Sequence, residues 1–492
     1  MAGKSLDDFR KAHDPMYGVH APTHVYVRDL PATFPVAIAV AAQNATPVHA
    51  DFWACLLTAQ RHRKAELFVM PTRYKNPTSH WSGSQANSEH YDKAVVPYLW
   101  NQRLDLNPNL TLLADVPTQP TAAQPLASLD GMSHASSGIL PHAKLQFRTV
   151  PTPNNRMAKI LTTTGICTVP NYTASRTGKI GEFHHSLSAV IVEFDGAKFH
   201  MRQLHYSKTH NAITDGVRGV MYKANGKVVK APRPKALAQG DTHVDFTDPL
   251  VDRATFGEAG LVQTLRPEYV IWADLLDSHA INHHDEFDPF IQAAKAQSGR
   301  DDMGAEVHRA IDHVRARTYP GITNVIQAAN HNDMFRRWML QRFNWRTDHT
   351  NSVFGLKTAL YMRENVKMTE RGPSYPDPFK YWFELAQVPQ SRVLTLDESF
   401  SLADVELAFH GDIGPNGARG SRKNMARIGT KSIIEHSHSP GIEEGCYQAG
   451  TSTLLRLHYT HGPSSWLNTH VLLQHDGKRQ LVNMVDGAYT AN

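Results

Sequence analysis

The sequence predicts an α/β protein of two domains, on three observations. Its 492 residues exceed what one ordinary hydrophobic core accommodates. Near the N-terminus an apolar run, a helix-spaced segment and a second apolar run form a βαβ pattern. In the second half, short strand-like runs each end on a polar cluster of Asp, Asn or His.

The elements follow in chain order. Val36 to Ala42 is a run suited to a buried strand, and Ala50 to Arg63 places Phe52, Cys55, Leu56 and Ala59 at helical spacing. Leu67 to Met70 reads as a second strand, so a parallel pair with a right-handed crossover is expected. Leu110 to Ala114 is a third strand, and from about Pro141 the texture turns to β. Asp195-Gly196 and Asn225-Gly226 sit between apolar runs and suit the φ > 0 positions of hairpin turns. Ala231 to Lys235 (APRPK) marks a boundary, giving domains 1–230 and 235–492. Beyond it, strands are expected at Lys235 to Gln239, Tyr269 to Trp272, Ile322 to Ala328, Val405 to Phe409 and Ser432 to Ile434. Met303, Val307, Ala310, Ile311 and Val314 form a helical stripe, and Asp476-Gly477 signals a last hairpin. No internal repeat is visible.

Composition narrows the class. With 41% apolar and 20% charged residues the chain is globular. A formal charge of +5 is small for this length and permits a nucleic-acid partner without arguing for one. Cys55, Cys167 and Cys446 are few and far apart, as in reduced buried thiols. The start MAGKSLDDFRKAHDP has no apolar leader core, and no run reaches transmembrane length, so a cytoplasmic protein with no membrane partner is expected. A homo-oligomer is expected because symmetric self-assembly is common.

The chemistry lies in the polar clusters, in the order Asp241-Thr-His243, Asp274-Leu-Leu-Asp277, Asn330-His331, His410 and His436-Ser-His438. Each is weak alone, and an isolated His410 would read as an ordinary surface or core histidine. Together they supply carboxylates, imidazoles and a carbonyl-type oxygen for two adjacent divalent metals, with a spare His and Asp for proton handling. Mixed N and O ligands without thiolate suit manganese, and also Mg, Fe or Zn. Ligands at the C-terminal ends of several strands converge on one sheet edge, where α/β folds place their sites.

The set GDTH, ADLLD, ANHND, FHGD and EHSHSPG resembles the motif series of the calcineurin-like metallophosphoesterases over roughly residues 235–490. The resemblance implies a phosphoesterase β-sandwich flanked by helices, preceded here by an N-terminal α/β domain with added hairpins. It implies that Asp241, His243 and His438 hold one metal, that Asp274 bridges, and that Asn330, His410 and His436 hold the other. His331 would be the general acid, oriented by Asp277. Ala273 and Ala329 replace family glycines, Asn332 intrudes before Asp333, and Glu435 replaces the glycine of the last motif, placing a carboxylate near the metals. The catalytic part is similar to that of the SbcD-type exonucleases. The runs QNATPVH, FVMPTRYKNP and TTTGICTVPNYT resemble phage early proteins of the T5-like group, which are associated with degrading host DNA. That resemblance implies a two-metal DNA nuclease in the host cytoplasm.

Other features are less specific. The glycine-rich segment Gly411 to Gly420 and the cations Arg419, Arg422 and Lys423 could hold a DNA phosphate, or form a surface loop. Asn282-His283-His284-Asp285 imitates a ligand motif but follows Asp274 too closely for another strand and helix, and is expected to be a loop near the site. The N-terminal domain offers no rival catalytic set and is expected to position substrate or partners. Two alternatives stand beside the nuclease: a phosphatase or phosphodiesterase on nucleotides, small molecules or phosphoproteins, and a non-catalytic host-takeover binding protein.

Overall fold

Helix Ala50–Arg63 forms where the apolar spacing placed it. His49 caps its start by accepting from the Phe52 N–H, and Lys64, at φ 50°, ends it in the left-handed region. It connects strands β1 (Val36–Gln43) and β2 (Glu66–Thr72), which pair in parallel from Ala37↔Glu66 to Gln43↔Thr72. The computed structural model describes residues 17–19, 25–78, 90–153, 156, 158–370, 372–457 and 460–491, and the chain is a mixed α/β protein. The first fifteen residues, read above for a leader, lie outside the described residues.

The remaining principal strands follow in order. They are β3 (Arg103–Asn107), β4 (Leu110–Leu113), β5 (Ser137–Leu140), β6 (Gln146–Val150), β7 (Lys159–Thr163), β8 (Ser188–Asp195) and β9 (Lys198–Ser207). Next come β10 (Ala212–Asp215), β11 (Val220–Lys223), β12 (Val228–Lys230), β13 (Ala236–Ala238), β14 (Tyr269–Trp272), β15 (Thr323–Ile326) and β16 (Ser391–Val393). The last are β17 (Ser401–Leu402), β18 (Val405–Glu406), β19 (Lys431–Ile434), β20 (Gly441–Glu443), β21 (Cys446–Gln448), β22 (Thr469–Leu473) and β23 (Arg479–Asn483).

Three large sheets result. One has seven strands in the order β12-β11-β10-β9-β8-β1-β2, and one has six in the order β16-β15-β14-β13-β22-β23. The third has ten, in the order β17-β18-β19-β21-β20-β6-β7-β5-β4-β3, and so joins strands from both sides of residues 230–235. Its order is palindromic. From the central antiparallel pair β6·β20 (Phe147↔Ile442), each side runs outward through one antiparallel, two parallel and one antiparallel pairing. The other two sheets share a pattern as well: β2-β1-β8-β9 and β14-β13-β22-β23 have the same order and directions. The chain is therefore a topological repeat about a pseudo-two-fold axis. Periodicity in the sequence marks strands but not their partners, which is why the repeat was invisible there.

One apolar core fills the space between the layers. Ala39, Met70 and Val190 from the seven-stranded sheet and Ile271, Val325 and Val471 from the six-stranded sheet meet Phe147, Ile160, Ile433 and Ile442 of the ten-stranded sheet. The two smaller sheets abut where Gln480 Nε2 donates to the Gln203 carbonyl at 2.6 Å and Asn483 Nδ2 to that of Met201 at 3.3 Å. On the outer face of the six-stranded sheet, helix Met303–Ala316 buries Val307 and Ile311 beside Val270 and Trp272. Cys55, Cys167 and Cys446 are all buried free thiols. Among the described residues no helix is long and apolar enough to cross a membrane.

Candidate metal centre

The polar clusters all lie beyond the C-terminal ends of strands. Asp241 and His243 follow β13, Asp274 follows β14, and Asn330 and His331 open helix Asn330–Gln341 after β15. His410 follows β18, and His436 and His438 follow β19. Gly240 lets the chain pass: a Cβ there would lie 2.7 Å from the Gly450 carbonyl carbon. His243, Asp274, His436 and His438 all have φ between 39° and 72°, a region non-glycine residues seldom occupy. Such strain collects where surrounding structure holds functional groups in place.

The side chains converge. Asp241, His243 and His438 offer ligand atoms within 4.8 Å of one another, as do Asp241, Asp274 and His410, and His243, Asp274 and His331. His438 Nε2 lies 2.9 Å from Asp241 Oδ2, and His410 Nε2 lies 3.0 Å from Asp274 Oδ2. His243 Nε2 and His438 Nε2 face each other at 3.2 Å, and His436 Nδ1 lies 3.1 Å from Asn330 Oδ1. Main-chain N–H groups steady the carboxylates: His436 donates to Asp241 Oδ1 and His331 to Asp274 Oδ1, each at 3.2 Å. All seven residues expected to ligate metal are thus brought together.

The donor set fits divalent cations. Asp241 Oδ2 and both ring nitrogens of His410 are buried without a hydrogen-bond partner despite their close neighbours. Buried polar atoms are normally satisfied, so lone pairs converging unsatisfied are what a coordinated ion would complete. Burial alone would raise the Asp274 carboxyl, but His410 and then His331 outweigh it and hold it well below the usual carboxylate range. Burial would lower His410, yet Asp274 and Asp241 push it up to about 10; Asp277 likewise overrides burial and pushes His243 up to about 9.

The two residues expected to handle protons are also here. His331 Nδ1 lies 2.7 Å from the main-chain carbonyl of Asp277, while the Asp277 carboxylate lies 3.1 Å from His243 Nδ1. Asp277 therefore meets His331 through its backbone and braces His243 with its side chain. Glu435 is fully buried beside the cluster, and burial raises its carboxyl well above the ordinary value.

The basic segment divides. Arg419 and Lys423 are exposed. Arg422 turns inward: its Nη1 donates to the Ser439 carbonyl at 2.8 Å, and its guanidinium packs against Gly441. It braces the loop after His438 instead of facing solvent. Asn282 to Asp285 form a turn in which Asp285 pairs with Lys295 at 3.0 Å.

The chain is similar to Protein A1 of Escherichia phage T5. The two are 28% identical over 472 residues, which cover 92% of this chain and 82% of that protein. No family model and no solved structure matches the chain.

Several residues of the site carried no sequence signal. Trp466 packs edge-on against His438, with ring centroids 4.1 Å apart. His470 Nδ1 accepts from the Gly240 N–H at 3.1 Å, and its Nε2 lies 2.8 Å from Thr255 Oγ1, which anchors the turn into Asp241. Asn332, the residue that intrudes on the motif, is buried and accepts from the Leu276 N–H at 3.3 Å. Its place in the motif could have been read as a backbone clamp for the segment after Asp274. In the N-terminal half, Ala41 occupies the bridge position that Asp241 occupies in the other half: the series Ala41↔Ile166↔Leu187 matches Asp241↔Thr451↔Asn468. Ala143 matches His438 in the same way, through the bonds Ser186 N to Ala143 O and Leu467 N to His438 O. The N-terminal half repeats this part of the fold with alanine at the positions of two candidate ligands, Asp241 and His438.

Proposed function

We propose that this chain hydrolyses phosphodiester bonds of DNA with two divalent metal ions, manganese first, as part of host DNA degradation by a phage. The observation that carries the reading is the buried convergence of Asp241, His243, Asp274, His410 and His438, with Asn330 and His436 half-buried beside them and with Asp241 Oδ2 and both His410 ring nitrogens lacking hydrogen-bond partners. The similarity to a phage T5 protein supports the phage setting.

Asp241, His243 and His438 would hold one ion, Asn330, His410 and His436 the other, and Asp274 both. Bound there, two divalent cations supply Lewis acidity to a phosphoryl group and make a water acidic. The chain's own groups do the rest. The Asp277 carbonyl accepts from His331 Nδ1–H and fixes the ring, so that Nε2, once protonated, can donate to a leaving oxygen. The Asp277 carboxylate holds the tautomer of His243 that leaves Nε2 free for coordination. Helix Asn330–Gln341 begins at the cluster, so its positive end favours an anionic substrate. Arg419 and Lys423 extend the reach to neighbouring phosphates.

The test is incubation with linear duplex, circular duplex and single-stranded DNA plus Mn²⁺, beside a small phosphodiester. DNA cleavage that is lost on chelation and restored by Mn²⁺ is expected. Intact DNA beside brisk turnover of the small ester would assign the site to a phosphatase or phosphodiesterase instead.

A further inference from the structure

A second cavity, of about 600 Å³, opens at the seam between the two halves. Its wall includes His205 from β9, Arg479 and Lys478 from the turn into β23, and Lys431 from β19. None of these belongs to the metal cluster. His205 and Arg479 are each only 8% exposed, and His205 Nε2 and Arg479 Nε have no hydrogen-bond partner. Arg479 spends Nη1 on the Ser432 and Gly445 carbonyls at 3.0 and 2.5 Å, and its guanidinium lies 4.3 Å over the Tyr447 ring. The guanidinium is thus fixed in position with one donor left unused.

Cations outnumber carboxylates on the wall. Glu444 lines the cavity but pairs with Lys144 at 3.1 Å. Asp476 accepts from the Lys478 main-chain N–H at 3.2 Å and from Ser207. Asp404, also on the wall, is exposed. Burial, with Lys478 and Arg479 nearby, keeps His205 neutral, with its pKa pushed down to about 3; its ring N–H is taken by the Arg479 carbonyl, so it adds no charge to the wall. Cations gathered around an unused buried donor form a site for an anion. Phe183, 83% exposed, also lines the cavity and offers an open aromatic face.

We propose that this cavity binds a mononucleotide, its phosphate held by Arg479, Lys478 and Lys431 and its base against Phe183. The volume falls within the range of small-molecule sites, about 300–1,000 Å³. The chain would then carry a nucleotide site separate from its metal cluster, built from both halves.

The test is equilibrium dialysis of the full chain against deoxyadenosine monophosphate, inorganic phosphate and deoxyadenosine. It is run on the wild type, on Asp274→Asn to disable phosphate binding at the metal cluster, and on Lys431→Gln/Lys478→Gln. Saturable nucleotide binding should persist in Asp274→Asn and weaken about tenfold or more in the double lysine variant, on the scale of a lost charge-assisted contact. Deoxyadenosine should bind at least about tenfold more weakly than its monophosphate, since it lacks the anion. Arg479→Lys, checked for an unchanged melting temperature, should also weaken binding. Loss of binding in Asp274→Asn would place the nucleotide at the metal cluster and overturn the proposal. Full binding by the double lysine variant would also overturn it. Inorganic phosphate binding as tightly as the nucleotide would overturn the assignment of a base to Phe183.

Discussion

Glu306 provides a pH-dependent stability that a single substitution should remove. It lies on helix Met303–Ala316, is buried, and accepts from the main-chain N–H groups of His279 and Ala280 at 3.3 and 3.1 Å. It thereby secures the segment just past Asp277. Burial, joined by the nearby Asp277 and Asp245 carboxylates, pushes its carboxyl up from 4.5 to about 7. The folded state therefore holds a proton that the unfolded state releases above the ordinary value. Stability from this group is fully present below 4.5 and is lost as pH rises through about 7. A rise of that size corresponds to about 3 kcal/mol between the two limits. Glu306→Gln removes the titration but turns an amide N–H₂ toward one of the two N–H groups, costing about 1 kcal/mol at every pH. The variant should then be slightly less stable than wild type near pH ~5 and more stable by about 2 kcal/mol near pH ~8. At about 2 cal/mol/K of unfolding entropy per residue over 492 residues, the pH-dependent part is about 3 °C. Thermal melts of both proteins at the two pH values measure it. Parallel curves, with the same difference at both, would refute the reasoning.

Four further outcomes are expected. Asp274→Ala should lose both metal ions, because its carboxylate faces His410 and lies beside His243, and metal analysis showing full occupancy would contradict the bridging role. His331→Asn should keep the metals and lose turnover by about 10²–10⁴-fold, as for a general acid, so collapse of metal content would mean that it is a ligand. Arg419→Ala/Lys423→Ala should flatten the salt dependence of DNA binding by about one or two counterions, read from log–log titrations, whereas Arg422→Ala should lower the melting temperature instead, since Arg422 holds the Ser439 carbonyl. Phe147→Ala, at the centre of the ten-stranded sheet, should cost about 3–5 kcal/mol in denaturant unfolding, the range for a buried aromatic truncated in a core.

Much of this was legible in sequence where local pattern decides structure. Helix Ala50–Arg63, strand Tyr269–Trp272 and the hairpins near Asp195-Gly196 and Asp476-Gly477 follow from periodicity and turn chemistry, but only the glycines, at φ 59° and 77°, take the positive φ expected of both residues, and Asp195 ends its strand paired with Lys198. That the seven candidate ligands would converge was legible because their residue types and order are demanding. What sequence hid is what depends on distant partners. The pairing of Gln146–Val150 with Gly441–Glu443 joins segments nearly 300 residues apart, and neither strand carries a mark of its partner. Arg422 read as a surface cation because its burial depends on the Ser439 loop folding over it. Glu435 read as a carboxylate near the metals because sequence shows the group and only the structure shows the burial that raises its pKa.

The palindromic sheet gives the isolated C-terminal half an unguarded flank. Residues 235–492 made alone would present Gly441–Glu443 as a bare edge, with the main-chain groups that meet Gln146–Arg148 left open. The vacant partner strand and the exposed one occupy corresponding places in the repeat and run antiparallel to each other. A second copy of the same fragment could therefore dock where the N-terminal half was and restore an unbroken sheet with two live clusters instead of one. In the full-length chain the backbone itself closes this two-fold arrangement, and one half keeps the edge with alanine at positions of two candidate ligands. The chain's first half serves as a permanently tethered neighbour that shields the second from chance pairing with strangers.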